Sequence, residues 1–214
     1  NLGITSSDGR TRTFDAESTG TGTGEGGGVV LLKKFEDAVR DGDHIHAVIL
    51  ATAINNDGAR SNGITAPSPV AQEEVLKKAW KTAGIDPRTI TYIEAHGTGT
   101  KIGDPIEIQA LSKAFAEFTN EKKFCALGAV KSNFGHLDNA AGMAGLIKSV
   151  LSLQKKEIFP TVHFKTPNPY IDFENSATFV NSTLTSWNSR SEKRRCGVSA
   201  FGFTGTKAHL VLEE

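Results

Sequence analysis

With 214 residues the chain can bury one sizeable core or two small ones. Its 24 lysines and arginines balance 24 aspartates and glutamates, and a formal net charge of zero argues against a general nucleic-acid binder. No apolar run approaches the length of a membrane span. The two cysteines, Cys125 and Cys196, form no metal-type cluster and fit a reducing, cytoplasmic setting.

Residues 1–23 are polar, rich in glycine, serine and threonine, and read as loop. No signal peptide is visible, and the sequence opens inside this polar loop, so a natural start further upstream is expected. Gly22-Thr23-Gly24-Glu25-Gly26-Gly27 formally matches the dinucleotide pattern G-x-G-x-x-G. That motif must follow a strand and open a helix. Here it precedes the apolar run Val29-Val30-Leu31-Leu32, read as a strand, so nucleotide binding is rejected. Phe35 to Gly42 reads as a short helix or turn ended by glycine, and His46 to Ala53 as a strand. His44 and His46 would share one strand face, but no third ligand accompanies them, and a solvated strand edge is the expectation.

Asn55 to Pro67 reads as loop, with Asn55-Asn56-Asp57-Gly58 as its turn signal. Ser68 can cap and Pro69 can start a helix running to Gly84, with Val70, Val75, Leu76, Trp80 and Ala83 as the core stripe. Thr89 to Ile93 is β-branched and aromatic, hence a strand. It stops in the glycine-loosened loop His96-Gly97-Thr98-Gly99-Thr100, after which Asp104 and Pro105 serve as N-cap and first turn of a helix over 105–118. A second unit repeats this plan. The apolar run Phe124–Val130 leads into Lys131-Ser132-Asn133-Phe134-Gly135-His136, followed by a small-residue helix from Asp138 to Lys155 whose core is Leu146, Ile147, Val150 and Leu151. In open α/β folds ligands meet the protein where strands end in loops. Two such units, each with a histidine and one with a lysine, are expected to converge on one site. Ile158 to Tyr170 reads as an extended connector with a structural His163. Thr178–Val180 and Arg195–Ser199 read as strands, and a glycine-spaced turn from Phe201 to Thr206 returns the chain along Ala208–Leu212 as a hairpin.

Three ordered segments resemble the β-ketoacyl synthases: Glu94 to Thr100 with Gly103-Asp104-Pro105-Ile106-Glu107, then Lys131 to His136, then Gly197 to Phe203. Within that family the chain is most similar to ketosynthase domains of modular polyketide synthases, from about Asp8 to Glu214. The resemblance implies an α/β, thiolase-like fold, layered αβαβα. Residues 1–47 would be the tail of the N-terminal half and 48–214 essentially the C-terminal half. It implies decarboxylative Claisen condensation of an acyl chain, held as a cysteine thioester, with malonyl on an acyl carrier protein. By motif position, His96 and His136 would stabilise the enolate and promote decarboxylation, and Lys131 would orient them. Thr98 and Thr100 would hydrogen-bond the phosphopantetheine arm. Phe203 would lend its N–H to the oxyanion hole and its ring to a gate, and Asp104 and Glu107 would be structural.

The family nucleophile lies in a turn expected upstream of Asn1. Cys125 and Cys196 have neither its motif nor its setting and read as buried structural residues. No metal and no tightly bound cofactor are implied. The implied partners are the carrier protein, the upstream half and a second copy of the chain, and residues 1–214 alone are expected to be inactive and to expose apolar surface. The chain departs from the family at Gly20-Thr21-Gly22-Thr23, where an aromatic and a basic residue are usual, and at Thr204 and Lys207, usually glycine and asparagine; Lys207→Asn is expected to be tolerated. Two other readings stay open: a non-elongating module that holds and passes on the chain, and a thiolase or fatty-acid-type synthase.

Overall fold

The structure is a computed structural model describing residues 4–60 and 67–214. The first three residues of the polar N-terminal segment, and most of the second part of the expected loop 55–67, lie outside the described residues. The helices are α1 (Phe35–Asp41), α2 (Pro69–Ala83), α3 (Gly103–Ala116), the single turn α4 (Lys131–Phe134) and α5 (Ala141–Lys155). The strands are β1 (Val48–Asn56), β2 (Ile90–Glu94), β3 (Cys125–Gly128), β4 (Glu157–Ile158), β5 (Thr178–Val180), β6 (Thr185–Ser186), β7 (Arg195–Phe201) and β8 (Thr206–Glu213). Six strands form one sheet in the order β1-β8-β7-β2-β3-β5. The pairs β1–β8 and β7–β8 are antiparallel, whereas β7–β2, β2–β3 and β3–β5 are parallel.

Alternation along the strands supplies two cores. Ile90, Ile93, Leu127 and Val211 face α2 and α3, meeting Val75, Leu76, Trp80, Leu111 and Phe115. Their neighbours Tyr92, Ala126 and Leu212 project to the other face, with Leu153 of α5, Trp187 and Cys196. Every residue of β2 is buried, as befits a central parallel strand covered on both faces. Burying one large apolar side chain contributes about 1.5–3 kcal/mol, and Trp80 is fully buried against Phe115 at a ring separation of 4.7 Å.

The helix boundaries follow local chemistry. Ser68 Oγ accepts from Ala71 N–H at 3.2 Å, Pro69 opens α2, and Gly84 closes it in the left-handed region. Gly42 closes α1 likewise. Four expectations need correction. Val29–Leu32 is not a strand: among the described residues it has no ladder partner, and Val29 and Leu31 are 95% and 96% exposed. Strand propensity without a neighbour to complete the hydrogen bonds does not make a strand. β1 starts at Val48, so His44 and His46 precede it, their rings 4.5 Å apart. Val70 and Leu151 are exposed, because the buried stripes run through Ala71, Val75 and Ala79 in α2 and through Gly145, Ser149 and Ser152 in α5. Asp104 does not cap α3; it lies inside the helix with its carboxylate turned back to the loop. No helix among the described residues is long and apolar enough to cross a membrane.

Candidate active site

The parallel strands β2 and β3 lie side by side, so the loops at their carboxyl ends are neighbours. Gly97 and Gly99 take positive φ, 48° and 67°, which bends the first loop back toward α3. Two carboxylates one helical turn apart then hold it. Glu107 accepts from His96 N–H at 2.7 Å through Oε1 and from Gly97 N–H at 2.9 Å through Oε2. Asp104 accepts from Gly99 N–H at 3.0 Å and from Phe14 N–H at 2.7 Å. Burial raises both carboxyls, Asp104 to about 7. The role of the cap passes in part to Thr100, whose Oγ1 accepts from Gly103 N–H at 3.1 Å.

The N-terminal segment, read from sequence only as loop, wraps this turn. Thr13 Oγ1 donates to Gly97 O at 2.8 Å, Thr21 Oγ1 to Thr98 O, and Ser18 Oγ to Gly99 O. The glycine run beyond it has a purpose unrelated to nucleotides. Gly24 N–H donates to His136 O at 3.0 Å and His136 N–H to Gly22 O at 2.7 Å, a short parallel bridge that sets the second histidine. A Cβ on Gly24 would stand 2.2 Å from Phe134 O, so only glycine permits the approach.

His96 and His136 come together, ring centroids 5.7 Å apart and nearly perpendicular at 82°. His96 Nδ1 accepts from Phe201 N–H at 3.2 Å, and His136 Nδ1 accepts from Asp138 N–H at 2.9 Å. A neutral imidazole whose Nδ1 is an acceptor carries its proton on Nε2. Both rings are kept neutral. Burial first, then the Lys131 charge, the cost of charging a ring beside His136, and the Lys207 charge hold His96 well below the usual imidazole value, while burial and Lys131 bring His136 to about 4. Part of the His96 ring surface faces the cavity even though packed atoms strip away most of its hydration.

Lys131 is buried; its ammonium donates to His96 O and lies 3.3 Å from His96 Nδ1. Burial lowers its pKa to about 8, partly offset by Glu107, Glu94 and Asp104. Beneath it, Glu94 Oε1 accepts from Val130 N–H at 2.6 Å, and Oε2 accepts from Lys148 Nζ at 2.8 Å and from Tyr92 Oη. Sequence reading missed this buried network; the one available signal was a lysine, Lys148, within the apolar half of a helix.

A cavity of about 1110 Å³ opens onto both histidines. Thr98 and Thr100 line it with their hydroxyls 3.1 Å apart, and Phe203 lines it from the β7–β8 turn with its side chain 55% exposed. Cys125 and Cys196 lie in β3 and β7, fully buried and away from the cavity lining. Burial raises both thiols, the opposite of what a nucleophile requires. Lys207 is not a free polar group near the cavity: it is buried and paired with Asp57 at 2.8 Å. Lys207→Asn would therefore remove the cation from a buried carboxylate, so tolerance no longer follows.

The family model described as β-ketoacyl synthase, C-terminal domain, matches residues 46–165, and that of the N-terminal domain matches residues 1–38. Polyketide synthase PksL of Bacillus subtilis is 48% identical over 213 residues, covering 99% of this chain and 5% of its own length. A phenolphthiocerol/phthiocerol polyketide synthase of Mycobacterium tuberculosis is also 48% identical over 213 residues, covering 100% of this chain and 11% of its own length. The ketosynthase from module 6 of the bacillaene synthase of Bacillus subtilis superposes with a TM-score of 0.96 at 47% identity, over 99% of this chain and 38% of that one. The chain spans a small part of these curated relatives and about two fifths of the solved ketosynthase. With its fold thiolase-like, its relatives polyketide synthases and more than half its length matched by one family model, the chain belongs to the β-ketoacyl synthase family.

Proposed function

We propose that this chain forms the enolate-stabilising side of a polyketide ketosynthase, which joins an acyl thioester to a malonyl unit by decarboxylative Claisen condensation. The observation that carries this reading is the pair of neutral imidazoles with Nδ1 occupied by backbone N–H groups, leaving two Nε2–H donors beside one cavity. When the carbon–carbon bond to the malonyl carboxylate breaks, its electron pair passes into the thioester, and negative charge settles on the carbonyl oxygen. Two fixed donors stabilise that oxygen with little reorganisation. The carboxylate departs as carbon dioxide. The enolate carbon then attacks the acyl thioester, a new carbon–carbon bond forms, and the sulfur that held the acyl chain leaves. Lys131 orients His96 and its carbonyl; Phe203 and its turn border the oxyanion that forms on the acyl carbonyl when the enolate adds to it.

The thiolate that holds the acyl chain is proposed to come from the N-terminal part of the ketosynthase, in keeping with the burial of Cys125 and Cys196 and with the match of residues 1–38 to the N-terminal family model. A division at about residue 47 is likewise proposed, in keeping with one match that ends at residue 38 and another that begins at residue 46. Thr98 and Thr100, which line the cavity, would meet the amides of a phosphopantetheine arm, so an acyl carrier protein is the proposed partner and no resident cofactor is invoked. The apolar stretch Val29–Leu32, with Phe35 and Val39 beside it, is surface that the N-terminal part and a second copy would cover. A cytoplasmic setting accords with two buried cysteines that form no disulfide.

The test is condensation by the complete protein that carries this chain, supplied with an acyl thioester and a malonyl carrier. Formation of a β-ketoacyl product supports the reading. Acylation without a new carbon–carbon bond would instead establish the non-elongating alternative.

A further inference from the structure

The turn between β7 and β8 carries Phe203 on the rim of the histidine cavity. It is tied to the end of β1 by groups some 150 positions away in the chain. Asp57 N–H donates to Gly205 O at 2.9 Å, Asn56 Nδ2 lies 3.3 Å from Thr206 Oγ1, and Gly202 N–H closes the turn on Thr206 O at 2.6 Å. Under these bonds sits the ion pair of Lys207 Nζ with Asp57 Oδ2, the two side chains 2% and 4% exposed. Lys207 Nζ also lies 5.8 Å from the ring centroid of Phe201, the residue whose N–H fixes His96.

We infer that Lys207, held by Asp57, is a positioning residue for the condensation: the buried pair sets the register of the β7–β8 turn, and with it Phe203 and the Phe201–His96 contact, relative to the cavity. This rests on the ketosynthase reading above. A buried ion pair is a weak source of stability, because desolvating both charges offsets most of their attraction. Its directional gain is larger, since each charge accepts only a partner in one place. The pair joins two segments, Asn56–Asp57 and Gly202–Lys207, that have no other charged link between them among the described residues. The first lies at the end of β1 and the second enters β8, where the ladder pairs Asn55 with Lys207 and Asn56 with Thr206, so a shift of one against the other would move the rim and loosen only this end of the sheet.

The experiment uses the complete protein with Lys207→Met, and with Lys207→Met and Asp57→Leu together. Amide hydrogen exchange at Gly202, Gly205 and Asp57, the unfolding midpoint, and kcat and KM for condensation are read in each. The single variant is expected to speed exchange at the turn about tenfold and to lower kcat about ten- to a hundredfold, with KM for the carrier substrate nearly unchanged. Should it fail to fold, the double variant carries the test. Removing both charges is expected to restore the midpoint while turn exchange stays fast and kcat stays low. Recovery of kcat together with the midpoint in the double variant would overturn the inference, as would unaltered turn exchange in a folded variant of either kind. A parent protein that forms no carbon–carbon bond would refute the ketosynthase reading, and the exchange data would still decide whether the pair sets the turn.

Discussion

His96 and His136 face one cavity, yet they are held by different kinds of chemistry. His96 is fixed by charged, buried groups and one backbone donor: Glu107 grips its N–H, Lys131 its carbonyl, and the Phe201 N–H its ring. His136 is fixed by backbone, through its bridge to Gly22 and Gly24 and through the Asp138 N–H on its ring. The first arrangement rests on buried side chains, Glu107 and Lys131. The second depends on the backbone of a glycine-rich strip, and both rings keep part of their surface on the cavity. Both end in the same state, a neutral ring with a proton on Nε2. Two unlike supports for one chemical outcome mean that each can be disturbed without the other.

The largest effect should come from deleting a donor. In the complete protein, His136→Ala is expected to lower condensation about 10²–10³-fold, the usual cost of one oxyanion donor, while acylation of the thiol stays measurable. Normal product formation would remove His136 from the enolate site. Next, Glu107→Gln should cost about 1–3 kcal/mol, because an amide cannot accept from both His96 N–H and Gly97 N–H. It should disturb the His96 ring signals in an NMR spectrum and leave those of His136 in place; movement of both would show that the supports are coupled.

Gly24→Ala is the converse. The added methyl meets Phe134 O at 2.2 Å and Leu137 Cδ2 at 2.9 Å, so a cost of about 1–3 kcal/mol is expected. Here the His136 signals should shift and those of His96 hold. Both rings should also register in the pH dependence of stability. A histidine whose folded pKa lies below its unfolded value of about 6.5 contributes stability that is present above that value and lost as pH falls through the folded one. For His136 the window runs down to about 4. Burial lowers His96 as well, so equilibrium unfolding followed from pH 7 downward should decline, and His136→Gln should flatten that decline between about 6.5 and 4. An unchanged slope would mean that the ring is charged or free in the folded protein.

The smallest effect belongs to a control outside the contacts that hold either ring. Ser68→Ala removes the α2 cap at a cost of about 1 kcal/mol and should leave both histidine signals and condensation unaltered. A change in either would mean that the α2 face communicates with the cavity.

What the sequence determined by itself is the set of features whose physics is local. Ser68, Pro69 and Gly84 bound α2 because capping involves groups three or four residues apart. The β7–β8 hairpin, the strands β2 and β3, and the histidines placed at their carboxyl ends follow from alternation, turn glycines and motif order. Only the tertiary structure decided features whose partners are distant. Asp104 reads as a helix cap, but Phe14 N–H, 90 positions away, makes its carboxylate a clamp for the loop. Val29–Leu32 has strand composition and no strand, since a ladder is a property of two segments. Lys207 reads as a polar departure near a pocket, and Asp57, 150 positions away, makes it half of a buried ion pair. A cap is satisfied within one helical turn, whereas a buried charge or a sheet edge takes its meaning from whatever the folded chain brings against it.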